Sequence, residues 1–177
     1  EDLVDHFNIK NSFLESLLHH SNPLYRIALT KKSELDSKYL EALALDTSLE
    51  VRKSVLAIHR FETSQKVIDG NIGTKDDALL VDLIAYNKNF SLLHYEQLAS
   101  NSSAKVRKAV AENLTEPSLF LRYKKSTDAE RLSILRKLSS DPDVEVKAKA
   151  LSGLTAKEQE RVLGSTSASI QTVLLEL

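Results

Sequence analysis

Three observations predict an all-α fold, an α-α superhelix (solenoid) of stacked helical hairpins. The first is an internal repeat. Leu98 to Ala111, Leu43 to Leu56 and Leu138 to Leu151 share one order of residues: a leucine, a polar residue three places on, a turn-forming cluster, a valine eight places after the leucine, and a cation directly after the valine. Leu17 to Arg26 fits more loosely, with Tyr25 in the valine's place. The second is periodicity. Apolar residues at helical spacing lie on both sides of each turn cluster, so one helix ends and another begins almost at once. The third is that no stretch alternates with period two for long enough to make a strand. A lone hairpin cannot bury an apolar stripe on both its helices, so neighbouring hairpins must stack.

In chain order, residues 1–20 read as an N-terminal cap whose apolar face is Phe7, Ile9, Phe13, Leu14, Leu17 and Leu18. Asn22-Pro23 starts a helix through Thr30, asparagine capping and proline filling a first-turn position that needs no N–H. Asp36 or Ser37 starts the next helix, to Leu45, and its partner runs from Leu49 to Arg60 with Val51, Val55 and Ile58 along one stripe. Thr63 to Asp69 is a short helix stopped by Gly70-Asn-Ile-Gly73, the candidate hinge. Thr74 introduces the strongly apolar helix around Ala78 to Ala85, with acidic residues in its first turn where the helix dipole favours them. Tyr86 to Phe90 breaks it, and Ser91 to Ser100 is helical. Thr115 to Ser118 opens a helix to Lys125, Asp128 opens one to Leu138, Thr155 caps one through Leu163, and Ser167 to Leu177 closes the chain. The whole chain, 1–177, reads as a single helical-repeat domain. The repeats occupy 17–151 with a degenerate unit at 63–97, and C-terminal cap helices occupy 155–177.

Asp46 and Arg52, Asn101 and Arg107, and Asp141 and Lys147 each stand six apart. With the valine before each cation, this pattern resembles the HEAT family of helical repeats and its short bacterial relatives, the leucine-rich repeat variants. The resemblance implies a right-handed superhelix in which these Asp/Asn and Arg/Lys residues bridge neighbouring turns as a structural ladder. The chain departs from even spacing, since the leucine anchors at 17, 43, 98 and 138 step unequally. Read from spacing alone, each cation pairs with the Asp or Asn six residues before it.

The chain has 177 residues, 42% of them hydrophobic, enough for one sizeable core. Its lack of cysteine excludes disulfides, thiolate metal sites and cysteine nucleophiles. The apolar runs are too short to cross a bilayer and no leader is evident, so the reading is a soluble, cytoplasmic protein without membrane association. A net charge of −1 gives no overall attraction to polyanions, but residues 101–137 carry nine cations against four acids. Lys53, Lys105, Lys108 and Lys149 flank the ladder positions, and stacking would align them. With Arg122, Tyr123, Lys124 and Lys125 they are the candidate partner-binding residues.

Catalytic signals are lacking. No two of His6, His19, His20, His59 and His94 are three or four apart as a helical metal site requires, and no metal or cofactor is expected. His-Glu dipeptides, the mark of the iron-binding HEAT-repeat hydroxylase, do not occur, nor do phosphate-cradling glycine loops or a nucleophile elbow. The expected function is a non-catalytic scaffold presenting a curved helical surface to a protein or peptide, with no small-molecule substrate. The alternative is DNA or RNA binding through the basic segment 101–137, since HEAT-like repeats also build alkylpurine DNA glycosylases. The missing tryptophan and the acidic first half argue against it.

Overall fold

A computed structural model describes residues 11–58, 64–86, 89–115 and 128–164. Among them are eleven α-helices and no strand. The chain divides into two compact units, residues 1–74 and 75–177, each described here by itself.

The first unit holds α1 (Asn11–Leu18), α2 (Pro23–Thr30), α3 (Ser37–Ala44), α4 (Leu49–Ile58) and α5 (Gln65–Asn71). The Asn22 side chain accepts from the Leu24 N–H and Pro23 takes the first helical position, so α2 begins where its two strongest signals stand. α1 packs on α2, α3 on α4, and α2 lies against α4. Leu29, Leu43, Val51, Val55, Val67 and Ile68 are fully buried in this unit. Each contributes about 1.5–3 kcal/mol through apolar surface removed from water. A short hydroxyl contact of 2.6 Å between Thr30 and Ser54 ties α2 to α4. Ile58 leaves the expected stripe and is 51% exposed. Phe13, expected in the cap's apolar face, is also exposed, while Leu14 and Leu17 are buried.

Gly70 does not stop α5. The helix starts two residues later than expected, at Gln65, and continues through Gly70 to Asn71. A side chain at Gly70 would run into that of Leu45, so the missing Cβ permits a close approach of helix to loop. The buried Asn71 donates its Nδ2 to the carbonyls of Ala44 (2.8 Å) and Val67 (2.9 Å), stitching the end of α5 to the end of α3.

The second unit holds α6 (Asp77–Tyr86), α7 (Leu92–Leu98), α8 (Ala104–Thr115), α9 (Asp128–Leu138), α10 (Val144–Ser152) and α11 (Ala156–Leu163). α8 packs against both α6 and α10, α7 pairs with α8, and α9 pairs with α10. Leu79, Leu80, Leu98, Val106, Val110, Leu114, Leu135, Val146 and Leu151 form its core. A buried polar chain crosses it: the Tyr95 hydroxyl donates to Asn113 Oδ1 (2.7 Å), and Asn113 Nδ2 donates to the Ile84 carbonyl (3.0 Å). That chain holds α7, α8 and the end of α6 in one register.

α7 opens with a reciprocal cap in which His94 takes the usual glutamate's part: its Nδ1 accepts from the Ser91 N–H, and its own N–H is given to Ser91 Oγ. α10 is capped by Asp143, which accepts from Glu145 and Val146, so Pro142 lies before the cap and not in the helix. α11 is capped by Thr155 and ends at Gly164, whose φ of 60° suits glycine. The expected features at residues 1–10, around Asn87, at 116–125 and at 167–177 lie outside the described residues.

Candidate functional site

One position recurs in the structure: the residue three places before a second helix. It is His20 before α2, Asp46 before α4, Thr74 before α6, Asn101 before α8 and Asp141 before α10. At His20, Asp46, Asn101 and Asp141 the side chain accepts the N–H two residues on. Asp46 takes it from Ser48 (2.7 Å), Asn101 from Ser103 (2.8 Å), Asp141 from Asp143 (2.9 Å), and His20, through Nδ1, from Asn22 (3.1 Å). This local bond shapes the turn and needs only an acceptor, so aspartate, asparagine and a neutral histidine all serve.

The cation six residues on grips the same turn by its backbone. Arg52 Nη1 donates to the carbonyls of Asp46 (2.7 Å) and Thr47 (3.3 Å), Arg107 Nη1 to those of Asn101 (2.8 Å) and Ser102 (3.0 Å), and Arg26 Nη1 to those of His20 and Ser21. The pairing read from spacing is therefore corrected. The residue six places back gives its carbonyl, and the carboxylate partner comes from the next turn in the unit. Arg26 forks onto Asp46, Nε to Oδ2 at 2.6 Å and Nη2 to Oδ1 at 2.9 Å; Arg107 forks onto Asp141 at 2.7 and 2.8 Å. The reason is geometric. An arginine on the first turn of a helix has Nη1 close to its own turn, and the opposite edge of its planar fork then faces outward.

Both forks are largely shielded, with Arg26 and Asp46 side chains 11% and 8% exposed and Arg107 and Asp141 12% and 6%. Burial raises the Asp46 carboxyl, but the Arg26 hydrogen bond, the Ser48 N–H and the charges of Arg26 and Arg52 together hold it below the ordinary aspartate range. At Asp141 the Arg107 hydrogen bond is the largest influence and lowers it, against burial and with help from the Asp143 N–H and Lys147.

The ladder has gaps. At the α6 turn the two ladder positions carry Thr74 and Leu80, so neither acid nor cation is there. Arg52 keeps its backbone anchors, yet its buried Nε has no acceptor among the described residues. With Leu80 in the cation's place, the following ladder residue is the neutral Asn101. Lys147 is a half-buried ladder cation after Asp141, within range to lower that carboxyl but without a hydrogen bond to a described residue.

Of the candidate partner-binding residues, Lys105 is exposed on α8 and Lys149 half-buried on α10, neither bonded to a described residue. Lys53 is half-buried on α4 and engaged locally. Lys108 is bound to Glu145 at 2.5 Å. Arg122, Tyr123, Lys124 and Lys125 lie outside the described residues. The basic excess of segment 101–137 is met by acids beyond it. Arg107 binds Asp141, Lys108 binds Glu145, and Arg136 forks onto Glu158 at 2.7 and 2.8 Å. Glu145 and Glu158 were not foreseen as partners, and no fixed spacing points to them. Among the described residues no His, Asp or Glu cluster is arranged to hold a metal ion, and no helix is long and apolar enough to cross a membrane.

Fold and turns together define an all-α protein of packed helix pairs with charge-linked inter-helix turns. Comparison with family models, curated proteins and solved structures gives no match.

Proposed function

We propose that this chain is a non-catalytic scaffold, a HEAT-like superhelix whose second helices α2, α4, α6, α8 and α10 present a curved surface to a protein or peptide partner. The observation that carries this reading is the division of labour among the repeated cations. Arg26 and Arg107 are spent on linking turns, whereas Lys105, two residues before Arg107 on α8, is exposed to solvent. An exposed cation beside packed helix pairs suits recognition of a surface better than turnover of a small molecule.

The nucleic-acid reading is weakened because three of the six described cations in 101–137 are already met by carboxylates from residues 141, 145 and 158. Affinity capture with the intact chain, followed by mass spectrometry, tests the proposal. Lys105→Glu together with Lys149→Glu is expected to weaken the captured protein by about tenfold, the loss of a favourable charge arrangement at an interface. Unchanged capture, or retention of a nucleic acid with steep salt dependence, would contradict it.

A further inference from the structure

The turn between α1 and α2 closes on a histidine. His20 holds the place that Asp46, Asn101 and Asp141 hold in later turns, and it accepts the Asn22 N–H through Nδ1 at 3.1 Å. Further closures follow from it. Asn22 Oδ1 accepts the Leu24 N–H at 3.0 Å, and Arg26 Nη1 donates to the carbonyls of His20 and Ser21 while its other edge forks onto Asp46. Accepting through Nδ1 requires a neutral imidazole whose proton sits on Nε2. A second proton turns Nδ1 into a donor aimed at another donor, the Asn22 N–H.

The surroundings do not offset that loss. The ring lies against Tyr25, centroids 4.0 Å apart at a tilt of 34°, so swinging Nδ1 away from the N–H sacrifices the stack. The new charge would enter the turn that the Arg26 guanidinium already grips. Nearby acids are engaged elsewhere: Asp46 takes the Arg26 fork, and Glu15 of α1 takes Lys38 of α3 at 3.2 Å and faces His19 at 3.8 Å. From the helices packed against this hairpin, α3 also brings Glu41, which accepts the Ser64 hydroxyl, and α4 brings the exposed Glu50 with Arg52 and Lys53. Among the described residues none of these carboxylates is paired with His20.

We propose that His20 is an acid-sensitive latch on the α1–α2 turn. Neutral, it closes the turn as aspartate or asparagine does elsewhere; protonated, it releases the Asn22 N–H and adds a like charge to the turn from which Arg26 reaches the next. Imidazole takes up its proton as pH falls through about 6.5. The unfolded chain, with no N–H to lose, takes it up first. The stability the latch supplies is therefore present above about pH 7 and lost towards about pH 5.5. Asp46, held below the ordinary aspartate range, stays charged throughout that window.

The test compares the full chain with His20→Asn, which keeps the acceptor in the form Asn101 already uses and does not titrate. The other four histidines are common to both chains and cancel. From about pH 7.5 to about pH 5.5 the thermal midpoint of the parent is expected to fall by about 2–4 °C more than that of the variant. Nitrogen NMR of the imidazoles reads the tautomer directly, and at neutral pH His20 is expected to carry its proton on Nε2. The Asn22 amide is expected to lose protection from hydrogen exchange on acidification in the parent only. Equal falls in the two midpoints, or a neutral His20 with its proton on Nδ1, overturns the proposal.

Discussion

Arg107 in the second unit and Arg52 in the first hold the same place in the same grammar. Both follow a buried valine, and both give Nη1 to the carbonyls five and six residues back. Arg107 forks onto Asp141, three places before α10, while the buried Nε of Arg52 meets no acceptor among the described residues. The difference separates two functions of the repeated cation. Fastening its own turn depends on residues within six positions and is satisfied in both units. Linking one turn to the next depends on a distant residue, and of the two only Arg107 makes such a link among the described residues. Asn101 supports the same division from the other side: with Leu80 where the incoming cation should be, only the local acceptor is kept, and an amide suffices.

The largest effect that sharpens this contrast is expected from Asp141→Ala, which removes the fork partner of Arg107 and the acceptor of the Asp143 N–H. It should lower unfolding free energy in urea by about 2–3 kcal/mol. Arg52→Ala, which breaks only bonds to carbonyls, should lower it by about 1 kcal/mol. Equal losses would erase the distinction.

Acid should reproduce part of the first effect. Asp46 and Asp141 are held below the ordinary aspartate range in the folded chain, so the unfolded chain takes up protons first as pH falls. Their contribution is complete above about pH 4 and fades below it, as pH drops towards the depressed folded values. Urea midpoints between pH 6 and pH 2 should fall less steeply in Asp141→Asn than in the parent chain.

A smaller loss is expected inside the second unit. Tyr95→Phe removes the donor to Asn113 Oδ1 and should cost about 1–2 kcal/mol, since the amide oxygen stays buried. The smallest effect belongs to the Lys108–Glu145 pair, whose side chains are 39% and 66% exposed. Glu145→Gln should shift stability by no more than about 0.5 kcal/mol, and by less in high salt.

Much of the helical pattern was legible in the residues. Asn22-Pro23 and Thr155 mark the starts of α2 and α11 because caps act within a few residues, and sequence order preserves that range. The sixfold spacing of Asp46 and Arg52 was legible for the same reason. Its chemistry was misread, because a backbone carbonyl is present at every residue and leaves no mark in the sequence. The carboxylate partners were hidden because hairpins differ in length: Arg26 and Asp46 are 20 apart, Arg107 and Asp141 are 34 apart. The basic excess of 101–137 misled similarly, since Glu145 and Glu158 answer it from later hairpins. Gly70 read as a breaker because its packing against Leu45 is a contact across the unit.

A double-mutant cycle on Arg107→Gln and Asp141→Asn tests most directly whether these cations join neighbouring turns. Asparagine keeps the local acceptor for the Asp143 N–H, so the cycle isolates the charged fork. The predicted coupling in urea unfolding is about 1.5–3 kcal/mol. Coupling within about 0.3 kcal/mol of zero, alongside a clear coupling between Arg107→Gln and Asn101→Ala, would contradict the account and return the cation to its own turn.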